Sequence, residues 1–250
     1  MYTKRDIING IKKLGIISND TLLVHSSMKA IGNVEGRADA VIDAFIECLD
    51  RGLLIFPTLT HKSVSVENPI FNPTFTRSDV GILTNIFMKR PCVYRSLHPS
   101  HSVAAIGDNA QQFVSGEEQS VTPCPKSGCW GKLYEYNAKI MFLGCSLTRN
   151  TFLHSIEEWL NIPNRLTDNS ELLKVKMPDG TIVNRQMKRH NGESRSWDYY
   201  DKIEKLMLDK NIATEGKIGD ARAVICNARK MADLAVGILK DNPNYFTYRD

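Results

Sequence analysis

The sequence predicts an α/β protein, a three-layer αβα sandwich with a mostly parallel sheet and a smaller β-rich C-terminal addition. Two observations predict it. Short apolar runs of strand length alternate with segments whose apolar residues recur every three or four positions, which is typical of strands covered by helices on both faces. After about residue 166 this pattern gives way to paired strand-like runs around a Pro-Asp-Gly turn.

The first two thirds of the chain carry the alternation. Apolar residues on one face predict helices over 4–14 and 38–49, and buried-strand patterns follow each of them at 21–25 and 52–58. The same patterns continue and predict strands over 92–94, 102–106 and 139–144 and helices over 81–88, 109–114 and 150–160. The run at 139–144 is the clearest buried strand, and the helix over 150–160 follows it.

The last third predicts the β-rich part. Strand-like runs at 171–176 and 181–186 flank Pro178-Asp-Gly180, which indicates a hairpin. A helix is predicted over 197–208, a strand from Gly216 to Ile225, and a closing helix over 228–239. No Gly/Ser-rich or Pro-rich linker interrupts the chain. We therefore expect a single domain over 1–250, with the β-rich addition at about 166–227 packed on the main sheet.

Composition excludes several classes of protein. Hydrophobic residues make up 42% and charged residues 24% of the 250 residues, as in a globular protein. The net charge of +4 comes without a dense Lys/Arg block or interleaved aromatics, so we expect no nucleic-acid partner. No apolar run reaches the roughly 20 residues that span a membrane, and the N-terminus has no signal-peptide pattern. We expect a cytoplasmic monomer or homodimer whose six cysteines are reduced.

Polar residues at the carboxyl ends of the predicted strands are the first candidates for chemistry, because ligands of parallel sheets bind there. His154 and Glu157 lie three residues apart on the helix after the most buried strand, so they share a face. A carboxylate beside an imidazole fixes its tautomer and raises its basicity, as a general base requires. A surface ion pair would show the same spacing. The other candidates of this kind are His25, Ser26, Ser27, Thr58, Ser102 and Thr151.

The histidines are also candidate metal ligands. His98 and His101, with His154 and Glu157, could ligate zinc, but the spacing matches no metalloenzyme signature and Pro99 argues against one shared helix. A loop histidine held by backbone hydrogen bonds is an equal alternative for His98. We expect no metal. Neither a Gly-x-Ser-x-Gly elbow nor a Gly-rich nucleotide loop is present.

Nearly the whole chain, in the right order, resembles the aminoglycoside 3-N-acetyltransferases, a family distinct in fold from the GNAT acetyltransferases. The order of the matching segments makes the resemblance more specific than any single motif. The segments are Leu-Val-His25-Ser-Ser-Met-Lys-Ala-Ile-Gly32, Gly52-Leu-Leu-Ile-Phe-Pro-Thr58, Pro69-Ile-Phe-Asn-Pro73, Gly81-Ile-Leu, Arg95-Ser-Leu-His-Pro99, Ser102-Val-Ala-Ala-Ile-Gly107, Phe142-Leu-Gly144, Asn150-Thr-Phe-Leu-His-Ser-Ile-Glu157, Ile162-Pro-Asn-Arg165 and Gly216-Lys-Ile-Gly219.

The resemblance implies acetyl-coenzyme A as donor and direct transfer of its acyl group to the amine of a small amino sugar. It implies that His154 is the catalytic histidine and that Glu157 is its partner carboxylate. A backbone N–H or a serine hydroxyl of the His25 segment would stabilise the oxyanion. The residues expected around the coenzyme are His25, Ser26, Ser27, Arg95, Ser96, His98 and Ser102, and those expected to contact the acceptor are Thr58, Asn72 and Thr151.

Two departures from the family pattern fall on the expected acceptor side. The family commonly has Phe-Asp-Pro where this chain has Asn72, and the interval from His61 to Asn68 is short. Together with the positive net charge of the chain, these two departures favour a nucleotide-linked or other amino sugar as acceptor over a polycationic antibiotic. Acetylation of aminoglycosides, with drug resistance, is the first alternative. The others are a metal-dependent hydrolase using His98, His101, His154 and Glu157, and a non-catalytic coenzyme A-binding protein.

Overall fold

The computed structural model describes residues 1–248, which form ten strands and nine α-helices together with short 3₁₀ turns. The strands are β1 (Thr21–Ser26), β2 (Leu53–Pro57), β3 (Ile70–Phe71), β4 (Tyr94–Arg95), β5 (Val103–Gly107), β6 (Lys139–Leu143), β7 (Glu171–Lys176), β8 (Ile182–Met187), β9 (Ala213–Ile218) and β10 (Ala221–Asn227). The helices are α1 (Lys4–Lys13), α2 (Met28–Ile31), α3 (Arg37–Cys48), α4 (Ile82–Phe87), α5 (Ala110–Val114), α6 (Cys129–Glu135), α7 (Thr151–Trp159), α8 (Ile203–Asp209) and α9 (Ala228–Asp241).

Seven strands form the main sheet in the order β4-β5-β2-β1-β6-β10-β9. Successive residues of its strands point to opposite faces of the sheet and pack into two separate hydrophobic cores. Leu22 and Leu54 pack with α1, α3 and α4 on one face, whereas Leu23 and Ile55 pack with α5, α6, α7, α8 and α9 on the other. The predicted α/β class with helices on both faces is therefore confirmed. No helix within residues 1–248 is long and apolar enough to cross a membrane.

The main sheet is mixed, which differs from the mostly parallel sheet predicted. Only the central pairs β1–β2 and β1–β6 are parallel, and the outer pairs on both sides are antiparallel. Short connections explain the outermost antiparallel pairs, β4–β5 and β9–β10, because a parallel pair needs a crossover of about a dozen residues. β9 and β10 are joined by Gly219 and Asp220 alone. Gly219 has φ +59, and a Cβ there would lie 2.4 Å from the Ile31 carbonyl oxygen.

A second sheet has the order β3-β7-β8, and β7 and β8 form the hairpin predicted around Pro178-Asp-Gly180. Its small core consists of Val64, Phe71, Leu173, Val175 and Met187. The predicted boundaries of the β-rich addition, about 166–227, are too wide at one end, because β9 and β10 join the main sheet. They also miss β3, which comes from the first third of the chain and pairs in parallel with β7. The single-domain organisation stays a prediction.

Candidate active site

A cavity of about 1050 Å³ opens where the parallel strands of the main sheet end. The chain reaches it directly after β1, at Ser26 and Ser27, and directly after β6, at Gly144. Gly144 turns the chain with φ +68, and a Cβ there would lie 2.4 Å from the Cβ of Ala30. The second sheet closes the other side with Glu171 of β7 and with residues that follow β8. This is the edge of the sheet that the strand ends predicted.

His154 lies in the first turn of α7 and faces this cavity. The apolar residues Phe152, Leu153 and Ile156 of the same helix are buried in the core, which fixes the helix against the sheet. The predicted partner carboxylate, Glu157, is completely buried. Its Oε2 atom lies 3.6 Å from Nδ1 of His154, too far for a direct hydrogen bond of ordinary geometry.

Tyr200 connects the two. Its hydroxyl lies 2.6 Å from Oε2 of Glu157 and 2.7 Å from Nδ1 of His154. A carboxylate can only accept, so the single hydroxyl proton goes to Glu157 and the tyrosine oxygen accepts the Nδ1–H of His154. This arrangement selects the tautomer in which Nε2 of His154 carries a free lone pair. Glu157 therefore acts on His154 through Tyr200.

Glu157 is held as an anion by a full set of donors. Nε of Arg165 donates to Oε1 at 2.7 Å, and the Ser196 hydroxyl donates to Oε2 at 3.0 Å. Burial alone would raise the pKa of Glu157, but the proximity of His154, the charge of Arg165 and the hydroxyl of Tyr200 outweigh it and lower the pKa. Burial raises the pKa of Tyr200 well above its usual value, with the charge of Glu157 adding to it. The phenol therefore stays protonated beside an ionised carboxylate.

The ring of His190 stacks on His154, with centroids 3.8 Å apart and planes 18° from parallel, and Trp197 packs at 5.9 Å. Burial, followed by the proximity of His190, lowers the pKa of His154 to about 4, against opposing contributions from Glu157 and Glu158. The imidazole is accordingly neutral at neutral pH. A neutral imidazole with a free Nε2 is the form that can accept a proton from an amine.

His25 is the second imidazole of the cavity. It ends the buried part of β1 and stacks flat on Phe142, with centroids 5.1 Å apart, and on Trp130 at 6.2 Å. Burial, followed by the charge of Arg149, lowers its pKa to about 3. Its Nε2 atom is buried and has no hydrogen-bond partner among the described residues. The side chain thus has one ring nitrogen left for a ligand.

The structure brings only some of the predicted residues to the cavity. His154, His25, Ser26, Ser27 and Thr151 line it. Glu157 acts from behind His154. The remaining predicted residues lie outside the lining and are Thr58, Asn72, Arg95, Ser96, His98 and Ser102.

Arg95 is half-buried and makes several hydrogen bonds within the protein. Its guanidinium donates to the hydroxyls of Thr58 and Ser102, each at 3.2 Å, and to the carbonyls of Thr58, Pro73 and Thr76. It also lies over the ring of Phe71 at 4.8 Å. All of these partners belong to the protein, so Arg95 holds the 72–76 turn against the end of β2.

Asn72 and His98 are likewise occupied within the protein. Oδ1 of Asn72 accepts from the backbone N–H groups of Thr74 and Phe75. His98 accepts the backbone N–H groups of Ser100 and His101 at Nδ1, and its Nε2 lies 3.0 Å from the carbonyl of Thr122. With both nitrogens of His98 and both oxygens of Glu157 occupied, the quartet weighed for a metal-dependent hydrolase offers no open ligand set.

Ser96 is another predicted residue whose hydrogen bonds are made within the protein. Its hydroxyl donates to Oε2 of Glu117 at 3.4 Å and accepts the backbone N–H of Val103 at 3.1 Å. Four residues that the resemblance assigns to the coenzyme thus form hydrogen bonds within the chain and do not line the cavity: Arg95, Ser96, His98 and Ser102.

The cavity wall includes five charged side chains, which are Lys62, Asp79, Arg149, Glu171 and Arg189. Asp79 accepts the backbone N–H of Lys62 at 2.7 Å, so one of the two carboxylates is engaged in its own loop. Nε of Arg189 donates to Glu171 at 2.8 Å and Nη2 donates to the carbonyl of Val64. Nη1 of Arg189 is buried without a partner among the described residues. The lining therefore has more cations than carboxylates and one unused guanidinium donor.

Sequence reasoning missed Tyr200, Ser196 and His190 because they lie far from His154 in the chain. Arg165 belongs to one of the segments that resemble the family, Ile162-Pro-Asn-Arg165, but the resemblance gave no role for this residue. Its position just after a helix containing a buried glutamate was the one usable signal, because a buried carboxylate needs a cation or several donors.

The fold and the site together define an α/β enzyme with a largely buried imidazole, that of His154, facing a large cavity. The chain matches the family model described as aminoglycoside 3-N-acetyltransferase over residues 23–240. It therefore belongs to the aminoglycoside 3-N-acetyltransferase family, as the sequence resemblance implied. This membership makes it an acyltransferase, an N-acetyltransferase that uses acetyl-coenzyme A.

Individual relatives are similar over almost the full length. Aminoglycoside N(3)-acetyltransferase IV of Salmonella sp is 24% identical over 248 residues, covering 99% of this chain and 91% of the relative. Aminoglycoside N(3)-acetyltransferase III of Acinetobacter baumannii is 28% identical over 245 residues, covering 91% and 80%. Among solved structures, AAC-IIIb in a binary complex with CoASH superposes with a TM-score of 0.84 at 22% identity, covering 96% of each chain.

Proposed function

We propose that the protein transfers the acetyl group of acetyl-coenzyme A to an amine of a singly charged or anionic amino sugar, with His154 as general base. The observation that carries this proposal is the His154–Tyr200–Glu157 relay, which leaves Nε2 of His154 unprotonated where α7 meets the cavity. A non-catalytic coenzyme A-binding protein would have no use for such a relay. Cytoplasmic location and a monomeric or homodimeric state stay predictions.

The reaction follows from this geometry. The amine nitrogen attacks the thioester carbonyl, and Nε2 of His154 takes the amine proton. The carbon–sulfur bond then breaks, and the leaving thiolate takes the proton from the His154 imidazolium, which releases the coenzyme as its thiol and restores the neutral imidazole. As His154 becomes an imidazolium, its Nδ1–H stays bonded to Tyr200, whose own proton is held by the ionised Glu157. The developing positive charge is thus stabilised without any side chain having to move.

His25 is our candidate for the oxyanion donor. Its Nε2 has no hydrogen-bond partner in the part of the chain that the structure describes, and the ring stacks on Phe142. In the tautomer protonated at Nε2, the group offers a neutral N–H to the oxygen of the tetrahedral intermediate. Ser26 and Ser27 line the same end of the cavity and can donate through their hydroxyls.

The charges of the wall support the proposed acceptor class. Lys62, Arg149 and Arg189 face two carboxylates, one of which is engaged in its own loop. A multiply protonated drug would meet net positive charge there, whereas the free Nη1 of Arg189 can bind a phosphate or carboxylate. The coenzyme also carries phosphates, so part of this charge can serve the donor.

Relatives favour a second candidate, the acetylation of aminoglycoside antibiotics. The curated relatives are named for that activity, and an alanine variant of one histidine of the neighbour AAC(3)-IVa was crystallised with apramycin. The decisive measurement is thiol release from acetyl-coenzyme A, screened against nucleotide-linked amino sugars, simple amino sugars and gentamicin- or kanamycin-type drugs. We expect the highest kcat/KM with an anionic or singly charged sugar. A higher value with the drugs would establish the second candidate.

A further inference from the structure

Three potential metal ligands meet beside the relay. Ligand atoms of His101, Cys124 and His190 all lie within 4.8 Å of one another. They come from three separate segments: His101 precedes β5, Cys124 precedes α6, and His190 follows β8 of the second sheet. His101 and Cys124 are buried, and His190 is partly buried. None of the three has a role in the transfer reaction described above.

Each of the two imidazoles has one ring nitrogen in a hydrogen bond. Nδ1 of His101 bonds the Ser100 hydroxyl at 2.9 Å, and Nε2 of His190 lies 3.3 Å from Oε1 of Glu158. Each ring therefore has its other nitrogen available. Metal-bound histidines almost always hold the non-ligating nitrogen in a hydrogen bond to a carboxylate or another polar group. Glu158 also accepts the backbone N–H of Cys124 at 2.8 Å, so one carboxylate organises two of the three residues.

The chemistry of the set selects the metal. Two imidazole nitrogens and one thiolate suit zinc, whereas magnesium and calcium prefer oxygen ligands. The thiol of Cys124 must lose its proton on binding: the sulfur–hydrogen bond breaks, a sulfur–zinc bond forms, and one proton passes to solvent.

We propose that His101, Cys124 and His190 bind one Zn²⁺ ion in the wall of the cavity. His101 and His190 line the cavity, which leaves the fourth coordination position on that side for water or an acceptor group. Because His190 stacks on His154, the ion would fix the ring against which the catalytic base rests. It would also tie the second sheet to the edge of the main sheet.

This site is independent of the acceptor and of the role proposed for His154. It differs from the expectation of no metal, which concerns a different set of residues, His98, His101, His154 and Glu157, and their short sequence spacings. Both ring nitrogens of His98 form hydrogen bonds, so His98 is not part of the proposed site. The site consists of His101 with Cys124 and His190, and no sequence motif connects these residues.

The test is the metal content of the full-length protein, purified without chelator or affinity metal and measured by plasma mass spectrometry. We expect about one zinc per chain in the wild type, retained through gel filtration, and at least tenfold less in Cys124→Ser. Cys226→Ser is the matched control, because Cys226 is also buried and its thiol donates to the Ile140 carbonyl, as a serine hydroxyl can. The control should keep its zinc.

A spectroscopic measurement on the wild type keeps the proposal decidable if Cys124→Ser does not fold. After removal of zinc with a chelator, Co²⁺ is titrated into the protein, and a thiolate-to-cobalt charge-transfer band is expected to saturate at one equivalent. Absence of this band, or equal zinc contents in Cys124→Ser and Cys226→Ser, would overturn the proposal. Neither readout depends on acetyl transfer, so failure here is distinguishable from failure of the proposed function.

Discussion

The two walls of the cavity are built differently. In the proposed catalytic wall, His154 lines the cavity, and Tyr200 behind it joins His154 to Glu157, which accepts three hydrogen bonds. The proposed acceptor wall, which includes Lys62, Glu171 and Arg189, retains a guanidinium nitrogen that has no hydrogen-bond partner within residues 1–248. The catalytic wall is thus organised before substrate arrives, whereas the acceptor wall keeps hydrogen-bonding capacity for a ligand.

The largest effect should come from removing the base. His154→Ala deletes the one nitrogen that can take the amine proton, and loss of a general base costs about 10²- to 10⁴-fold in rate. Steady-state thiol release measures kcat, and titration calorimetry with coenzyme A checks that its affinity is nearly unchanged. Turnover close to wild type would remove His154 from the mechanism.

Breaking the relay should cost less. Tyr200→Phe keeps the ring packed but removes the only hydroxyl that bridges His154 and Glu157, so the tautomer is no longer selected. A hydrogen bond to a charged group contributes about 1.5–3 kcal/mol, so we expect kcat to fall about 10- to 100-fold. Tyr134→Phe is the matched control, since that hydroxyl bonds a carboxylate, Asp233, at an exposed position. Equal rates in both variants would place Tyr200 outside the mechanism.

The sequence predicted contacts between residues that are close together in the chain and missed those that depend on tertiary packing. His154 and Glu157 were accessible because a helix places residues three apart on one face and the preceding strand is plainly buried. Tyr200 was not, because its contact with them depends on how the 196–202 segment packs under α7. The paired runs of β7 and β8 predicted their hairpin, but β3, only two residues long, carried no periodic signal. Short strands and long-range side-chain contacts depend on tertiary packing.

The acceptor wall should respond in KM more than in kcat. Arg189→Met keeps the length of the side chain and removes the free Nη1 donor, so an anionic acceptor should bind about tenfold more weakly. Arg222→Met is the control, because that arginine forms exposed ion pairs with Glu204 and Glu215. The measurement is KM for the best anionic acceptor from the screen, with kcat expected to stay within about threefold. If KM is unchanged, Nη1 of Arg189 does not bind the acceptor.

The smallest effect should come from Asn72→Asp, the position where the family pattern has an acidic residue. The sequence suggested that this asparagine reduces negative charge on the acceptor side. In the structure its Oδ1 atom accepts two backbone N–H groups of its own turn, and the residue does not line the cavity.

An aspartate oxygen can accept the same two bonds, so the turn should persist and the new charge should stay on the protein side of the wall. We therefore expect the ratio of kcat/KM between cationic and anionic acceptors to change by less than about twofold, because exposed charges beyond about 8–10 Å are largely screened at physiological salt. The assay is the same thiol-release screen, run on both proteins at that ionic strength. A clear shift toward cationic acceptors would mean that the 72–76 turn reaches the bound sugar, and that Asn72 belongs to the acceptor wall with Arg189.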